Sequence, residues 1–184
     1  WWYTYADDID NRGVRIPFEG ISRADRLDEK SVAKLAEMGC FRLWNGSESG
    51  SQKILDAMKR KVEKEDVQAK THLLQKYGIE AGMFIMLGYH TETIDDIVET
   101  VEHLKICNPD IFLTTVAYPI KGTPYYADVE ADILRVGNWA ENGDRDLTVA
   151  GRYSKQFYSY ATRWMVNEVA LNKARKQGGE SVQR

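Results

Sequence analysis

Short apolar runs alternate with longer stretches in which apolar residues recur three and four apart. The runs are Val14–Phe18, Phe41–Trp44, Met83–Leu87 and Ile111–Ala117. Helical spacing follows them over about Glu29–Glu37, Ser51–Lys59, Lys64–Tyr77 and Ile94–Lys105, carried by Leu35 and Met38, by Ile54, Leu55 and Met58, and by Ile97, Val98, Val101 and Leu104. Asp28 and Thr93, the latter with Asp96 three residues on, read as helix N-caps. Gly39 and Gly78 stand where a helix end needs a left-handed residue. Nearly continuous apolar strands, each followed by an amphipathic helix, predict a parallel sheet covered by helices. The expected fold is α/β, a TIM-like (β/α) barrel or part of one, with a flat doubly wound sheet as the alternative.

Two places depart from this alternation. Trp1–Tyr5 is rich in aromatic and β-branched residues and reads as a strand entered midway, running into Asp7 and Asp8. Only five residues then separate Asp8 from Val14, too few for a parallel crossover. Either the first strand is antiparallel to the second or residues are missing between about Asp10 and Val14, and the second reading is preferred because every later unit has its helix. Toward the other end, Ala140–Ala150 is polar and turn-rich. Tyr153–Lys176 reads as one long helix, and Gly178–Arg184 as a frayed tail. The organisation expected is a barrel unit over residues 1–126 and a helical extension over 127–184.

Composition narrows the function. The 184 residues are 43% hydrophobic and 29% charged, as in a globular chain, with a formal net charge of −3 that argues weakly against nucleic acid or an anionic membrane as partner. No apolar run approaches the roughly 18 residues of a membrane span. With no signal-peptide charge pattern at the start, a cytoplasmic location is expected. Cys40 and Cys107 are the two cysteines, too few for a disulfide framework or for a self-contained thiolate metal site.

In parallel α/β folds ligands bind at the carboxyl ends of the strands, so the polar residues after each run carry the candidate chemistry. These are Asp7 and Asp8, then Glu19, Ser22 and Arg23, then Asn45–Gln52, then Gly88–Glu92, then Tyr118–Pro124. In Gly46-Ser47-Glu48-Ser49-Gly50-Ser51-Gln52 two glycines bracket a carboxylate among small hydroxyls, and a helix begins directly afterwards. Small residues let a ligand approach the backbone, and helix-start N–H groups favour anions. The competing reading is a serine-rich cap with Glu48 in solvent. Arg23 either meets a ligand carboxylate or pairs with Asp25 or Asp28. His90 reads as a turn residue, His72 and His103 as surface groups on helices, and Cys40 as a buried thiol. Cys107 falls in a loop before Asn108-Pro109-Asp110. No nucleophile triad, P-loop or dinucleotide glycine motif is present.

Arg42–Lys59 (RLWNGSESGSQKILDAMK), Gly78–Ile97 (GIEAGMFIMLGYHTETIDDI) and Asn108–Tyr126 (NPDIFLTTVAYPIKGTPYY), with the earlier YADD and SRAD, resemble successive strand ends of radical S-adenosylmethionine (SAM) enzymes. The resemblance is to the subgroup that often has an N-terminal cobalamin-binding domain, and the tail from Gly151 resembles anaerobic magnesium-protoporphyrin IX monomethyl ester cyclases. It implies a partial (β/α)₆ barrel and a CxxxCxxC loop whose thiolates hold a [4Fe–4S] cluster. It also implies a reducing electron donor and cleavage of SAM to a radical that abstracts hydrogen from a small-molecule substrate, of tetrapyrrole type by the resemblance of the tail. The chain has no CxxxCxxC, so the first βα unit is expected to be missing and these 184 residues alone to be inactive. Carried over by motif, Asp7 and Asp8 approach the SAM ammonium. Arg23 and Glu48 meet its carboxylate or ribose, Arg60 meets its carboxylate, and Leu87, Gly88 and Tyr118 flank the adenine. Asn45 and His90 depart from the family pattern, which usually has an apolar residue and a proline there. Two rival readings are a cofactor-free barrel enzyme using Glu48 with Asp7 and Asp8 as acid–base groups, and a catalytically inactive binding module.

Overall fold

The computed structural model describes residues 1–134 and 147–181. Four strands, β1 (Phe18–Ser22), β2 (Cys40–Glu48), β3 (Glu80–Leu87) and β4 (Ile111–Val116), pair in parallel in the order β1-β2-β3-β4. That order never reverses, as it would at the switch point of a doubly wound sheet, so the sheet is an arc of TIM-like barrel wall. The crossovers are α2 (Glu29–Glu37), then α3 (Gln52–Ala57) with α4 (Lys64–Lys76), then α5 (Ile94–Cys107). After β4 come α6 (Pro124–Val129), the antiparallel pair β5 (Ile133–Leu134) and β6 (Thr148–Val149), and the long α7 (Lys155–Ser181).

Local chemistry sets these boundaries. The Asp28 carboxylate accepts from the Ser31 N–H at 2.7 Å while Ser31 Oγ accepts from the Asp28 N–H at 2.9 Å, a reciprocal cap on α2. Thr93 and Asp96 form the same box on α5. Gly39 and Gly78 take the left-handed conformation expected of them, with φ of 95° and 72°.

The two faces of the arc differ. Toward the helices, Leu43 and Ala81 pack with Val32 and Leu74, while Met83, Ile85 and Leu87 pack with Ile97, Val101 and Leu104 of α5 and with Met165 and Val169 of α7. The opposite, concave face is layered. Glu19, Arg42 and Glu80 form an ion-pair layer near the amino ends of the strands. Trp44 stacks on Phe84 at 4.9 Å above it, over Gly82, where a Cβ would lie 2.6 Å from the indole. Glu48 and Met86 form the top layer, at the carboxyl ends, where ligands bind in such folds.

Four expectations are corrected here. Residues Trp2–Asn11 form a helix, α1, because Trp2, Ala6 and Ile9 recur at helical spacing and turn one side inward, with Ala6 fully buried. The short interval before Val14 is thus a helix end, closed by the Val14 N–H on the Ile9 carbonyl at 3.1 Å, and the missing-residue reading of Asp10–Val14 loses its premise. Strand β1 begins at Phe18 instead of ending there, since Pro17 has no N–H to give a ladder and Val14 and Ile16 are exposed. The final helix runs past Lys176 to Ser181 instead of ending at Lys176. Residues 135–146 and 182–184, which include most of the turn-rich stretch and the last of the tail, lie outside the described residues.

Candidate binding cleft

The β2–α3 connection carries the most specific geometry. A register shift between Gly46 and Glu48 breaks the β2–β3 ladder, and Glu48 adopts a left-handed φ of 62°. Bulges of this kind re-aim a side chain. The Glu48 carboxylate turns into the concave cleft, where Arg60 Nη2 lies 3.1 Å from its Oε1 and donates to the Gly46 carbonyl at 3.2 Å. A Cβ on Gly46 would lie 2.9 Å from that Arg60 nitrogen and 3.1 Å from Glu48 Oε1, so a larger residue would displace the two side-chain ends. Arg60 follows α3 between two left-handed residues, Lys59 and Lys61, and its Nε is buried without a hydrogen-bond partner. Burial raises the Glu48 carboxyl above its usual range and the Arg60 charge opposes that rise.

The cleft around this pair measures about 530 Å³, within the usual range for a small-molecule site, roughly 300–1,000 Å³. Met58 and Met86 give it apolar wall, and Tyr118 and Tyr125 line the side toward β4 and α6. Tyr125 stacks on Tyr89 at 4.9 Å, and its hydroxyl is buried without a partner. A second cavity of about 620 Å³ lies between β4 and α7 and shares Thr115–Tyr118 with the first, but Glu48 and Arg60 do not line it.

At the end of β3, Gly88 has φ of 74° and gives its N–H to Glu92 Oε2 at 2.5 Å. Burial pushes Glu92 up to about 7, and its Oε1 has no partner. A Cβ on Gly88 would lie 2.9 Å from the Tyr158 ring, so this turn too is closed to larger residues.

Of the predicted site residues, Glu48, Arg60 and Tyr118 line one cleft, and Gly88 forms the turn at the end of β3. Leu87 is fully buried on the helix-facing side, so only its backbone faces the strand end. Arg23 stands after β1 but is exposed and bidentate to Asp25, both contacts at 2.9 Å, as its alternative reading had it. Asp7 and Asp8 do not follow a strand. They lie on α1, where Asp7 pairs at 2.8 Å with Lys34 in the last turn of α2, on the amino-terminal side of the sheet. The convergence of Glu48 with Asp7 and Asp8 that the acid–base reading requires is therefore not found. Among the described residues no cluster of three or more His, Cys, Asp or Glu could hold a metal ion, and no helix is long and apolar enough to cross a membrane.

Sequence reasoning placed His103 on the surface, but it is 1% exposed. Its Nε2 lies 2.9 Å from Ser47 Oγ, and burial drops its pKa to about 4. Cys107 is the last residue of α5 instead of a loop residue, and burial pushes its thiol up to about 12. Cys40 is buried, as expected. Asn45 is buried with neither side-chain atom partnered. Met58, Met86 and Tyr125 were missed as cleft residues; the even-numbered face of β3 and the GTPYY segment were the signals that could have found them.

Comparison with known proteins follows the same lines. The chain is 26% identical over 132 residues to an uncharacterized methyltransferase of Pyrococcus horikoshii, a match covering 71% of this chain and 29% of that protein. The fold is shared with coproporphyrinogen III oxidase (HemN) of Escherichia coli, a radical SAM enzyme, at TM-score 0.62 and 13% identity, covering 85% of this chain and 32% of that one. It is shared as well with the radical SAM methyltransferase TsrM of Kitasatospora setae, solved with cobalamin and a [4Fe–4S] cluster, at TM-score 0.60 and 16% identity, covering 69% and 26%. The chain thus spans about a third or less of each of these proteins. The family model of the Radical SAM superfamily matches residues 4–104, more than half of the chain, and the chain belongs to that superfamily.

Proposed function

We propose that the cleft binds S-adenosylmethionine and that this chain is the SAM-binding part of a radical SAM barrel. The observation that carries the reading is the Glu48–Arg60 pair, half-sequestered at the carboxyl ends of the strands in a cleft of the right size. SAM presents an ammonium, a carboxylate, a ribose diol and an adenine. Glu48 can accept from the ribose hydroxyls or the ammonium. Arg60, whose Nε has no partner among the described residues, can donate to the carboxylate. The Leu87–Gly88 backbone and Tyr118 would flank the adenine.

The residues present do not fit a [4Fe–4S] cluster. Cys40 opens β2 and Cys107 closes α5; both are buried, and two thiolates are too few. We therefore assign the cluster thiolates to chain outside these 184 residues and derive no step through a cluster here. The parent is proposed to be an enzyme, a radical SAM oxidoreductase or transferase that takes its electron from a reducing donor. The methyltransferase name of the Pyrococcus relative leans toward transfer. Cobalamin as a second cofactor and a tetrapyrrole substrate rest on the motif resemblance alone.

Titration calorimetry of this chain with S-adenosylhomocysteine, which keeps the ammonium, carboxylate, ribose and adenine of SAM and lacks the sulfonium methyl with its charge, tests the reading. Saturable binding is expected, weakened about 10- to 100-fold by Arg60→Ala or Glu48→Ala, the loss of one charge-assisted contact each. Absence of binding to the unsubstituted chain, or variants that both bind as tightly as the unsubstituted chain, would overturn it.

A further inference from the structure

Glu48 sits in a costly conformation. Its φ is 62°, and the Ser49 N–H donates to the Ser47 carbonyl at 2.7 Å, closing a three-residue turn around it. Left-handed backbone of this kind at a residue other than glycine persists only where the surroundings over-determine it. What holds it is one face of α5. Asp96, Thr100 and His103 are each 3% exposed or less and follow one another at helical spacing, with Cys107 one turn on.

Each of the three grips a successive residue of the turn. Gln68 Nε2, a donor, faces His103 Nδ1 at 3.2 Å, which leaves His103 Nε2–H to donate to Ser47 Oγ at 2.9 Å. The Thr100 hydroxyl donates to the Asp96 carbonyl at 2.9 Å and accepts from the Gly50 N–H at 3.0 Å and from Ser49 Oγ–H at 3.2 Å. Ser49 Oγ in turn accepts from the Ser51 N–H at 3.1 Å. Asp96 accepts from Ser51 Oγ at 2.7 Å and from Lys53 Nζ at 2.5 Å. Each hydroxyl oxygen of Ser47, Ser49, Ser51 and Thr100 has at least one partner, and a buried network paired in this way rigidifies the loop it holds. Burial keeps His103 neutral near pH 7, which suits its place in the network.

We propose that the Asp96–Thr100–His103 face of α5 is a positioning device for Glu48, clamping Ser47, Ser49 and Ser51 on the helix side so that the carboxylate between them is thrown into the cleft opposite Arg60. Thr100 is its central positioning residue. It touches Ser49 and Gly50 and lines neither of the two cavities described above. This inference deepens the reading of the cleft as a SAM site and rests on that reading for its affinity readout alone.

The test compares the unsubstituted chain with Thr100→Val, which keeps the shape and removes the hydroxyl, and with Thr100→Ser, which restores it. Ser49→Ala breaks the same contact from the loop should the valine variant fail to fold. The first readout is the pH titration midpoint of the Glu48 side-chain carboxyl by carbon-13 NMR. It should lie above the ordinary glutamate value in the unsubstituted chain, fall toward that value in Thr100→Val as the carboxylate swings into solvent, and return in Thr100→Ser. The second is S-adenosylhomocysteine affinity, expected to weaken about tenfold in Thr100→Val and to show no further loss when the same change is made in a Glu48→Ala background. A lower melting temperature with an unmoved Glu48 midpoint would reduce Thr100 to a structural residue and overturn the proposal. So would an equal affinity loss with and without Glu48. If the unsubstituted chain does not bind the nucleoside, the SAM reading fails, and the NMR midpoint still decides the positioning role.

Discussion

Gly50→Ala should lower the melting temperature of the chain by about 10 °C. The added Cβ would lie 2.6 Å from Thr100 Cα and 2.7 Å from the Glu99 carbonyl, with His103 Cβ nearer still. Those atoms belong to the α5 backbone and to a buried ring stem, so no flexible side-chain end can yield. Overpacking of this type costs about 1–3 kcal/mol. Moving α5 away from the loop also strains the Gly50–Thr100 hydrogen bond, about 1 kcal/mol more. Differential scanning calorimetry reads the result directly. A midpoint within about 1 °C of the unsubstituted chain, well under the shift that 1 kcal/mol produces at this size, would show that helix and loop are not in this contact.

Glu92→Gln should stabilise the chain above neutral pH, the opposite of what removing a buried charge partner usually does. Burial holds the folded-state pKa of Glu92 at about 7 against an ordinary 4.5, so the folded chain binds more protons between those values and its stability falls as pH rises across them. His103, held down at about 4 against 6.5, acts the other way: its stability is complete above 6.5 and is lost as pH falls toward 4. Asp96, drawn down to about 2 by Lys53, Thr93 and Ser51 against its own desolvation, adds stability that is lost only from about 3.8 to 2. Between 4.5 and 6.5 the Glu92 and His103 slopes, each about 1.4 kcal/mol per pH unit, oppose one another and stability stays nearly flat. Glutamine keeps an oxygen for the Gly88 N–H and removes the falling slope. Chemical denaturation should then find the variant equal to the unsubstituted chain near pH 4 and more stable by about 3 kcal/mol at pH 8. A variant less stable at pH 8 would mean that Arg152 holds the ionised carboxylate there more strongly than burial penalises it, so that the Glu92 pKa is not raised.

Much of the frame was legible because its signals are local. The Asp28 and Thr93 boxes, the left-handed Gly39 and Gly78, and the alternation of apolar runs with helical spacing each follow from a few neighbouring residues. Glu48 was legible for the same reason, since glycines and serines around one carboxylate mark a backbone that must bend. The failures share a cause as well. Asp96, Thr100 and His103 form a polar stripe on α5, and a polar stripe reads as a solvated face. It is buried because the loop it covers is equally polar, a pairing between segments about 50 residues apart that no local pattern reveals. Trp1–Tyr5 has the composition of a strand but pairs with no strand among the described residues, and the helical stripe of Trp2, Ala6 and Ile9 prevails. Asp7 and Asp8 moved with it, away from the cleft. Nothing near Arg60 in the sequence announces that two left-handed lysines aim it back at Gly46 and Glu48.

The central claim is that the Glu48–Arg60 cleft receives S-adenosylmethionine, and the five methionines are placed to test it. Met58 and Met86 line the cleft, Met83 and Met165 are fully buried in the helix-facing core, and Met38 lies at the amino-terminal side beside α1. In a chain labelled with carbon-13 at the methionine methyl groups, titration with S-adenosylhomocysteine should shift the Met58 and Met86 signals saturably and leave Met38, Met83 and Met165 in place, and Arg60→Ala should weaken that response. Shifts at Met38 with Met58 and Met86 unmoved, or no shift at any concentration up to saturation of the nucleoside, would contradict the account.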